Sequence, residues 1–345
     1  MNDIVSRKIQ EFRERALANL LAISQASPEP GLHTRTMLAL SRIPLEAAHQ
    51  RVLEIFREFS SDETAIQALG ILRSESAANT LIDLARNLRV LNRDLLVEQL
   101  GFFKPAYVAY ALAEFLHDRD RHVRFQAAQA LYHIGGRESA LALCPHISDP
   151  DEWISMTVLK LLCQLKEHET IPYLERQFAQ DQDIRRKAIM VSFLSMFRSV
   201  TLVHIFDEGL RSGDPRLKAN SIEAIGELEL SQREINSRIQ PFLQDSNNRI
   251  RANAILALSR SEPESTAGEI IAMVNSEDVQ LRRSAAFILG QIPPEPFQEC
   301  ALKLLKDSSE DVRRRMVLSL RGFPRDFTFN QLQELVGDPN RWIRK

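Results

Sequence analysis

Between residues 118 and 136 the chain reads DRDRHVRFQAAQALYHIGG, and apolar or small side chains fall at Val123, Ala127, Ala130, Leu131 and Ile134. Those positions lie 0, 4, 7, 8 and 11 residues from the first, which is one face of a 3.6-residue helical period. The pattern recurs downstream. Aligning the apolar residue of His-Val-Arg with its later counterparts gives Val123, Ile154, Ile184, Leu217, Ile250, Leu281, Val312 and Ile343, at intervals of 31, 30, 33, 33, 31, 31 and 31. The following residue is a cation in seven of the eight, Ser155 being the exception, so the spacing belongs to a repeated structural unit.

Five residues ahead of the apolar position stands Asp118, Asp149, Asp245, Asp307 or Asp338, and the other three units carry Asp183, Asp214 or Asp278 nearer the helix. A short acceptor there satisfies the free amides of a helix start. The Asp-Pro pairs at 149–150, 214–215 and 338–339 also place proline where its missing N–H costs nothing. Between these helices lie others, such as PAYVAYALAEFLHD (105–118), SQREINSRIQPFLQD (231–245) and EPFQECALKLLKD (295–307), so each unit reads as a helical hairpin. No strand alternation interrupts the series. The expected fold is therefore all-α, a right-handed superhelical α-solenoid of about ten to eleven hairpins stacked as a single continuous array over 1–345. Within it, 1–30 reads as an N-terminal capping helix, 31–104 as degenerate repeats and 105–345 as regular repeats, the last one incomplete.

The segments DRDRHVRFQAAQALYHIG, DSNNRIRANAILALSR, VQLRRSAAFILGQI and SEDVRRRMVLSLRGF carry the pattern most fully. They resemble the short HEAT-like repeats of phycobilin lyase subunits and of many bacterial scaffold proteins. The resemblance covers about residues 90–345, and fainter units start at Asn92, Ser61 and Leu32. The Trp-Leu-Gly-Tyr signature of tetratricopeptide repeats and the Thr-Pro-Leu-His of ankyrin repeats are absent. The resemblance implies a non-catalytic scaffold that binds another protein, or a further domain of the same protein. Its alternative is a phycobilin-lyase-like or chaperone-like subunit acting on a cofactor-bearing protein.

Charge narrows the partners. With 44 Lys+Arg against 46 Asp+Glu the formal net charge is −2, so the broad positive field that draws proteins onto nucleic acid is missing. The start, MNDIVSRKIQEFRERALANLLAIS, has neither the apolar run nor the cleavage site of a signal peptide, and the expected location is cytoplasmic. Three distant cysteines, Cys144, Cys163 and Cys300, fit reduced thiols better than a disulfide framework. The apolar stretch 188–206 approaches bilayer length, but Ser192, Ser195, Arg198, Ser199, Thr201 and His204 interrupt it, so no membrane span is expected.

Candidate chemistry is sparse. His117, His122 and His133 fall about three helical turns apart or before the cap, a spacing that does not build a metal site. HEAT-like deoxyhypusine hydroxylases bind iron through repeated His-Glu dyads, whereas this sequence has one such pair, His168–Glu169. Alkylpurine DNA glycosylases of related architecture use a basic groove with tryptophans, and here Trp153 and Trp342 stand six units apart. No phosphate loop, nucleophile elbow or zinc spacing occurs, so no catalytic, cofactor-binding or metal-binding residue is assigned.

Binding residues are sought on the second helix of each hairpin, which generally lines the concave face of such solenoids. Offsets 2, 6, 9 and 13 point away from its core stripe. They select Phe125 and Tyr132 in one unit, Met156 in the next, and Arg186, Met190, Phe193 and Phe197 in the third. That last set is either the core of an irregular repeat or a greasy concave patch for a partner helix or peptide. Cations directly after the apolar position read as a structural ladder. The additional ones, Arg186, Lys187, Arg283, Arg314 and Arg315, exceed the needs of a ladder and read as a basic strip for an acidic segment or phosphate. At the C-terminal end Leu332, Leu335, Val336, Trp342 and Ile343 are expected to form an apolar face capped by further sequence or by a partner.

Overall fold

The computed structural model describes residues 2–26, 30–58, 62–104, 106–260 and 263–344. Ser61, expected to open a degenerate unit, lies outside the described residues, as do residues 27–29 of the expected cap. The chain forms two compact units, 1–177 and 178–345. The first contains α1 (Asn2–Ala26), α2 (Pro30–Leu40), α3 (Glu46–Glu58), α4 (Glu63–Leu72), α5 (Glu75–Arg86), α6 (Arg93–Leu100), α7 (Ala106–Phe115), α8 (Arg121–Ile134), α9 (Gly136–Leu143), α10 (Glu152–Leu165) and most of α11 (Ile171–Gln180). The second contains α12 (Ile184–Leu194), α13 (Val203–Leu210), α14 (Pro215–Gly226), α15 (Gln232–Ile239), α16 (Asn248–Ser259), α17 (Ala267–Val274), α18 (Val279–Leu289), α19 (Gln298–Leu305), α20 (Glu310–Ser319), α21 (Arg325–Leu335) and α22 (Arg341–Arg344). No strand occurs among the described residues.

In each unit the even-numbered helices pack successively on one another, α4 on α6 on α8 on α10 and α12 on α14 on α16 on α18 on α20. The odd-numbered helices of the hairpins form the other layer. The apolar stripes meet between these layers, where Phe56, Phe178, Phe206 and Phe297 are fully buried. Close stacking needs small residues. A Cβ on Gly226 would stand 2.6 Å from that of Ala257, so α14 and α16 touch where only glycine leaves room. Gly290 holds the corresponding place against Ser319, 2.7 Å from where its own Cβ would stand.

Short acceptors cap the helices, as expected at Asp183, Asp214 and Asp278. Asp118, Asp149, Asp245, Asp307 and Asp338 instead lie before the caps, and Pro150 and Pro339 before the helices, so of the three Asp-Pro pairs only 214–215 opens a helix. Asp120, Asp151, Asp183, Asp214, Asn247 and Asp278 each cap a helix by accepting amide hydrogen bonds of 2.8–3.0 Å from the residue two ahead. Each such cap is worth about 1 kcal/mol. These caps also fix the register of the repeat. In α8, capped by Asp120, the third helical residue is Val123; in α12, capped by Asp183, it is Arg186 and not Ile184. The expected alignment is thus two residues out of step in this one unit, and the corrected intervals are 32 and 31.

That correction reassigns the α12 side chains. Met190, Leu194 and Phe197 occupy the places of Ala127, Leu131 and Ile134, and all three are buried, Met190 completely. Ile184, expected in the core, is 41% exposed. Met190 and Phe197 are therefore core and offer no docking surface, while Phe193 is half-buried in the place of Ala130. The C-terminal face needs a similar amendment. Leu335 and Ile343 are buried within the second unit, whereas Leu332, Val336 and Trp342 are exposed.

Candidate functional site: an arginine-lined groove

The cations that follow the core position are consumed by architecture. Arg124 grips Asp149 through two bonds, Nε to Oδ2 at 2.8 Å and Nη2 to Oδ1 at 3.1 Å, and donates Nη1 to the Asp118 carbonyl at 2.8 Å. Arg282 does the same to Asp307 (2.7 and 3.1 Å) and the Ser276 carbonyl, and Arg313 to Asp338 (2.8 and 3.1 Å) and the Asp307 carbonyl. Arg93 pairs with Asp118. Where the next unit has Ser276 in place of an aspartate, Arg251 keeps the carbonyl half, donating Nε and Nη2 to Asp245. A two-pronged, largely buried pair of this kind ties one hairpin to the next.

Two members of the expected basic strip are engaged by carboxylates of the second unit. Arg186 bonds Asp181 at 2.9 Å, and Asp181 stands five residues ahead of it, the ladder position. Lys187 occupies the place of Arg124; it reaches Glu208 at 3.2 Å and lies over the Phe178 ring at 4.6 Å. Lys187 is therefore removed from the strip.

The remaining three cations are different. Arg283, Arg314 and Arg315 form no ion pair with any carboxylate of the described residues. Arg283 and Arg315 line one groove of about 430 Å³ on the second unit, between the exposed faces of α14, α16, α18 and α20, with Arg249, Asn253, Gln280 and Phe287. The Arg315 guanidinium lies 4.5 Å from the centre of the Phe287 ring. Burial, and then the positive charge of Arg283, hold its pKa below the usual guanidinium value. Arg249 donates to Asn220 at 2.8 Å, and the same Asn220 side chain donates 2.7 Å to the Ala188 carbonyl. Asn253 repeats that inter-hairpin bond, to Ala219 at 2.9 Å. The groove wall is thus held by hydrogen bonds between successive helices, while its cations stay uncompensated. Acidic residues mark its limits: Glu223 on α14 and, beside Arg283, Arg314 and Arg315, Asp311 on α20.

On the first unit the equivalent face is aromatic. Phe125 stacks on Trp153 with ring centres 4.3 Å apart and planes at 21°, and Arg121 lies 5.8 Å over the same indole while bonding Asp151 at 3.3 Å. Trp153 is 47% exposed; Phe125, Tyr132 and Met156 are half-buried. Arg249 and Gln280 were missed in the sequence, and Trp153 was weighed only against a DNA glycosylase groove, because all three precede the core position by one residue, a column the offsets passed over. The signal was available, since position −1 adjoins position +2 on a helix.

The profile of the family described as HEAT repeats matches residues 206–290, which includes α14, α16 and α18 of the groove. A curated relative, the bilin biosynthesis protein PecE of Mastigocladus laminosus, is 25% identical over 198 residues, 55% of this chain and 72% of the relative. Among solved structures, a mutant of Kap121p is similar with a TM-score of 0.60 at 12% identity, covering 95% of this chain and 44% of that one. Importin beta in an ammonium sulfate condition gives 0.54 at 15%, covering 95% and 53%. The chain spans about half the length of these two structures, and at such identities the likeness shows an all-α solenoid fold. No helix of the described residues is long and apolar enough to cross a membrane.

Proposed function

From a chain built of HEAT-like repeats, we infer a protein-binding scaffold whose second unit takes an acidic segment of its partner in the groove of Arg249, Arg283 and Arg315. The observation that carries this reading is a contrast within one chain. Arg124, Arg282 and Arg313 are each bidentate to an aspartate, whereas Arg283, Arg314 and Arg315, on the same helices as two of those, have no carboxylate. Cations gathered without counter-charge repel each other, and an incoming carboxylate relieves that repulsion as it forms charge-assisted hydrogen bonds. The aromatic face of Phe125, Trp153 and Met156 gives the first unit a contact area of its own, suited to apolar or proline-bearing segments. Titration calorimetry of the full chain with an acidic peptide and with its Lys-substituted counterpart tests the reading. Binding confined to the acidic peptide and weakened by salt is expected; equal binding of both contradicts it.

The similarity to a bilin biosynthesis protein supports a second reading, a subunit acting on a cofactor-bearing protein. Co-expression with a bilin and an acceptor protein distinguishes it, since a coloured adduct dependent on this chain favours that reading.

A further inference from the structure

Resting on the reading that the groove binds an acidic segment, we propose that its occupant is an extended chain lying across the helices, with acidic residues at every third position. The geometry begins with the repeat. Arg249, Arg283 and Arg315 stand on three successive helices of one layer, α16, α18 and α20, as the second, fifth and sixth residues of those helices. Neighbouring packed helices lie about 8–10 Å apart. An extended chain advances about 3.3 Å per residue, so one helix-to-helix step equals about three of its residues. A helical ligand at about 1.5 Å per residue would instead need about seven residues for each step.

Two features select the extended form. The groove crosses four helices, from Glu223 on α14 to Arg315 on α20, and holds only about 430 Å³ along that length. A helix with side chains has a diameter of about 10–12 Å and would ride above it, whereas a single extended backbone fits within. Between the arginines, beside Ala252 and Phe287, the Asn248 and Asn253 amides already bond Asp278 and the Ala219 carbonyl, which leaves the Gln280 amide and the Ser284 hydroxyl in the lining. Such groups pair with the free N–H and C=O of an extended chain; a helix has already satisfied its own. The partner is a protein segment and not a nucleic acid, because Glu223 and Asp311 stand at the groove limits and would repel a continuous polyanion, while isolated carboxylates three residues apart avoid them.

The test uses the full chain and three labelled peptides of equal length and net charge, read by fluorescence anisotropy. One places glutamate at every third position between Gly, Ser and Pro residues, one at every seventh position of an Ala-rich helix, and one in a single cluster. The every-third peptide should bind at least tenfold tighter than either other. Exchanging its central glutamate for lysine should abolish binding to the native chain and restore it to Arg283→Glu, but not to Arg315→Glu. If the clustered or helical peptide binds as well, or if rescue is indifferent to which arginine is reversed, the extended register is wrong while the acidic groove stands. If none of the three exceeds an uncharged peptide, the groove reading itself fails. Preferential binding of a single-stranded oligonucleotide would overturn the assignment to a protein segment.

Discussion

Arg282 and Asp307 meet through two parallel bonds, with only 13% and 7% of their side chains exposed, and the third arm of the guanidinium donates to the Ser276 carbonyl at 2.9 Å. The pair joins the start of α18 to the turn before α20, so it sets the pitch on which the groove is built. Replacing Arg282 with alanine leaves a largely buried carboxylate with only the Ser309 amide as donor and takes the guanidinium from the Ser276 carbonyl. The expected loss is about 2–4 kcal/mol in urea unfolding. Arg314→Ala, which removes an exposed cation with no pairing, should stay within about 0.5 kcal/mol. Equal losses would mean that the ladder does not bind the hairpins together.

The ladder also predicts an acid response. Burial pushes Asp307 up, but hydrogen bonds from Arg282 and the Ser309 amide and the charges of Arg282 and Arg313 together hold it below the ordinary carboxylate value. A carboxyl depressed on folding contributes its stability in full above the unfolded value of about 3.9, and loses it as pH falls through the lower folded value. The native chain should lose stability steeply in that acid window. Asp307→Asn should begin less stable at neutral pH and show a shallower fall there, measured as urea midpoints between pH 6 and the onset of acid unfolding.

The corrected register of α12 makes a separate prediction. Met190→Ala removes a completely buried side chain and should cost about 2–5 kcal/mol. Ile184→Ala, at the exposed start of the same helix, should cost about 0.5 kcal/mol or less. The reverse order would restore Ile184 to the core and Met190 to the surface.

Most of the fold was legible because the cap and the core position recur together. Asp214 with Leu217 and Asp278 with Leu281 each state where a helix starts and which face it buries, whereas Asp118, read as the cap of the Val123 unit, gives way to Asp120. The α12 unit misled because its core position holds Arg186, so an apolar neighbour, Ile184, took its place in the alignment. Asp181, five residues ahead of Arg186, carried the true register. The basic strip was only partly legible. Sequence spacing puts Lys187 and Arg283 in similar company, and only the packing of neighbouring helices separates a lysine engaged by Glu208 from an arginine facing an open groove. Arg249 was legible in principle, since position −1 adjoins position +2 on a helix, but that it faces Arg283 follows from the packing of α16 against α18.

On the proposed reading, the uncompensated arginines of the second unit are the binding surface. The most direct measurement compares the affinity of an acidic peptide for the native chain and for the Arg283→Glu/Arg315→Glu double variant, with urea midpoints confirming that both are folded. Removing two charge-assisted contacts and replacing them with repulsion should weaken binding by at least a hundredfold, about 2.7 kcal/mol, with little change in stability. Undiminished affinity in a folded double variant would contradict the account, and would move the binding surface away from this groove.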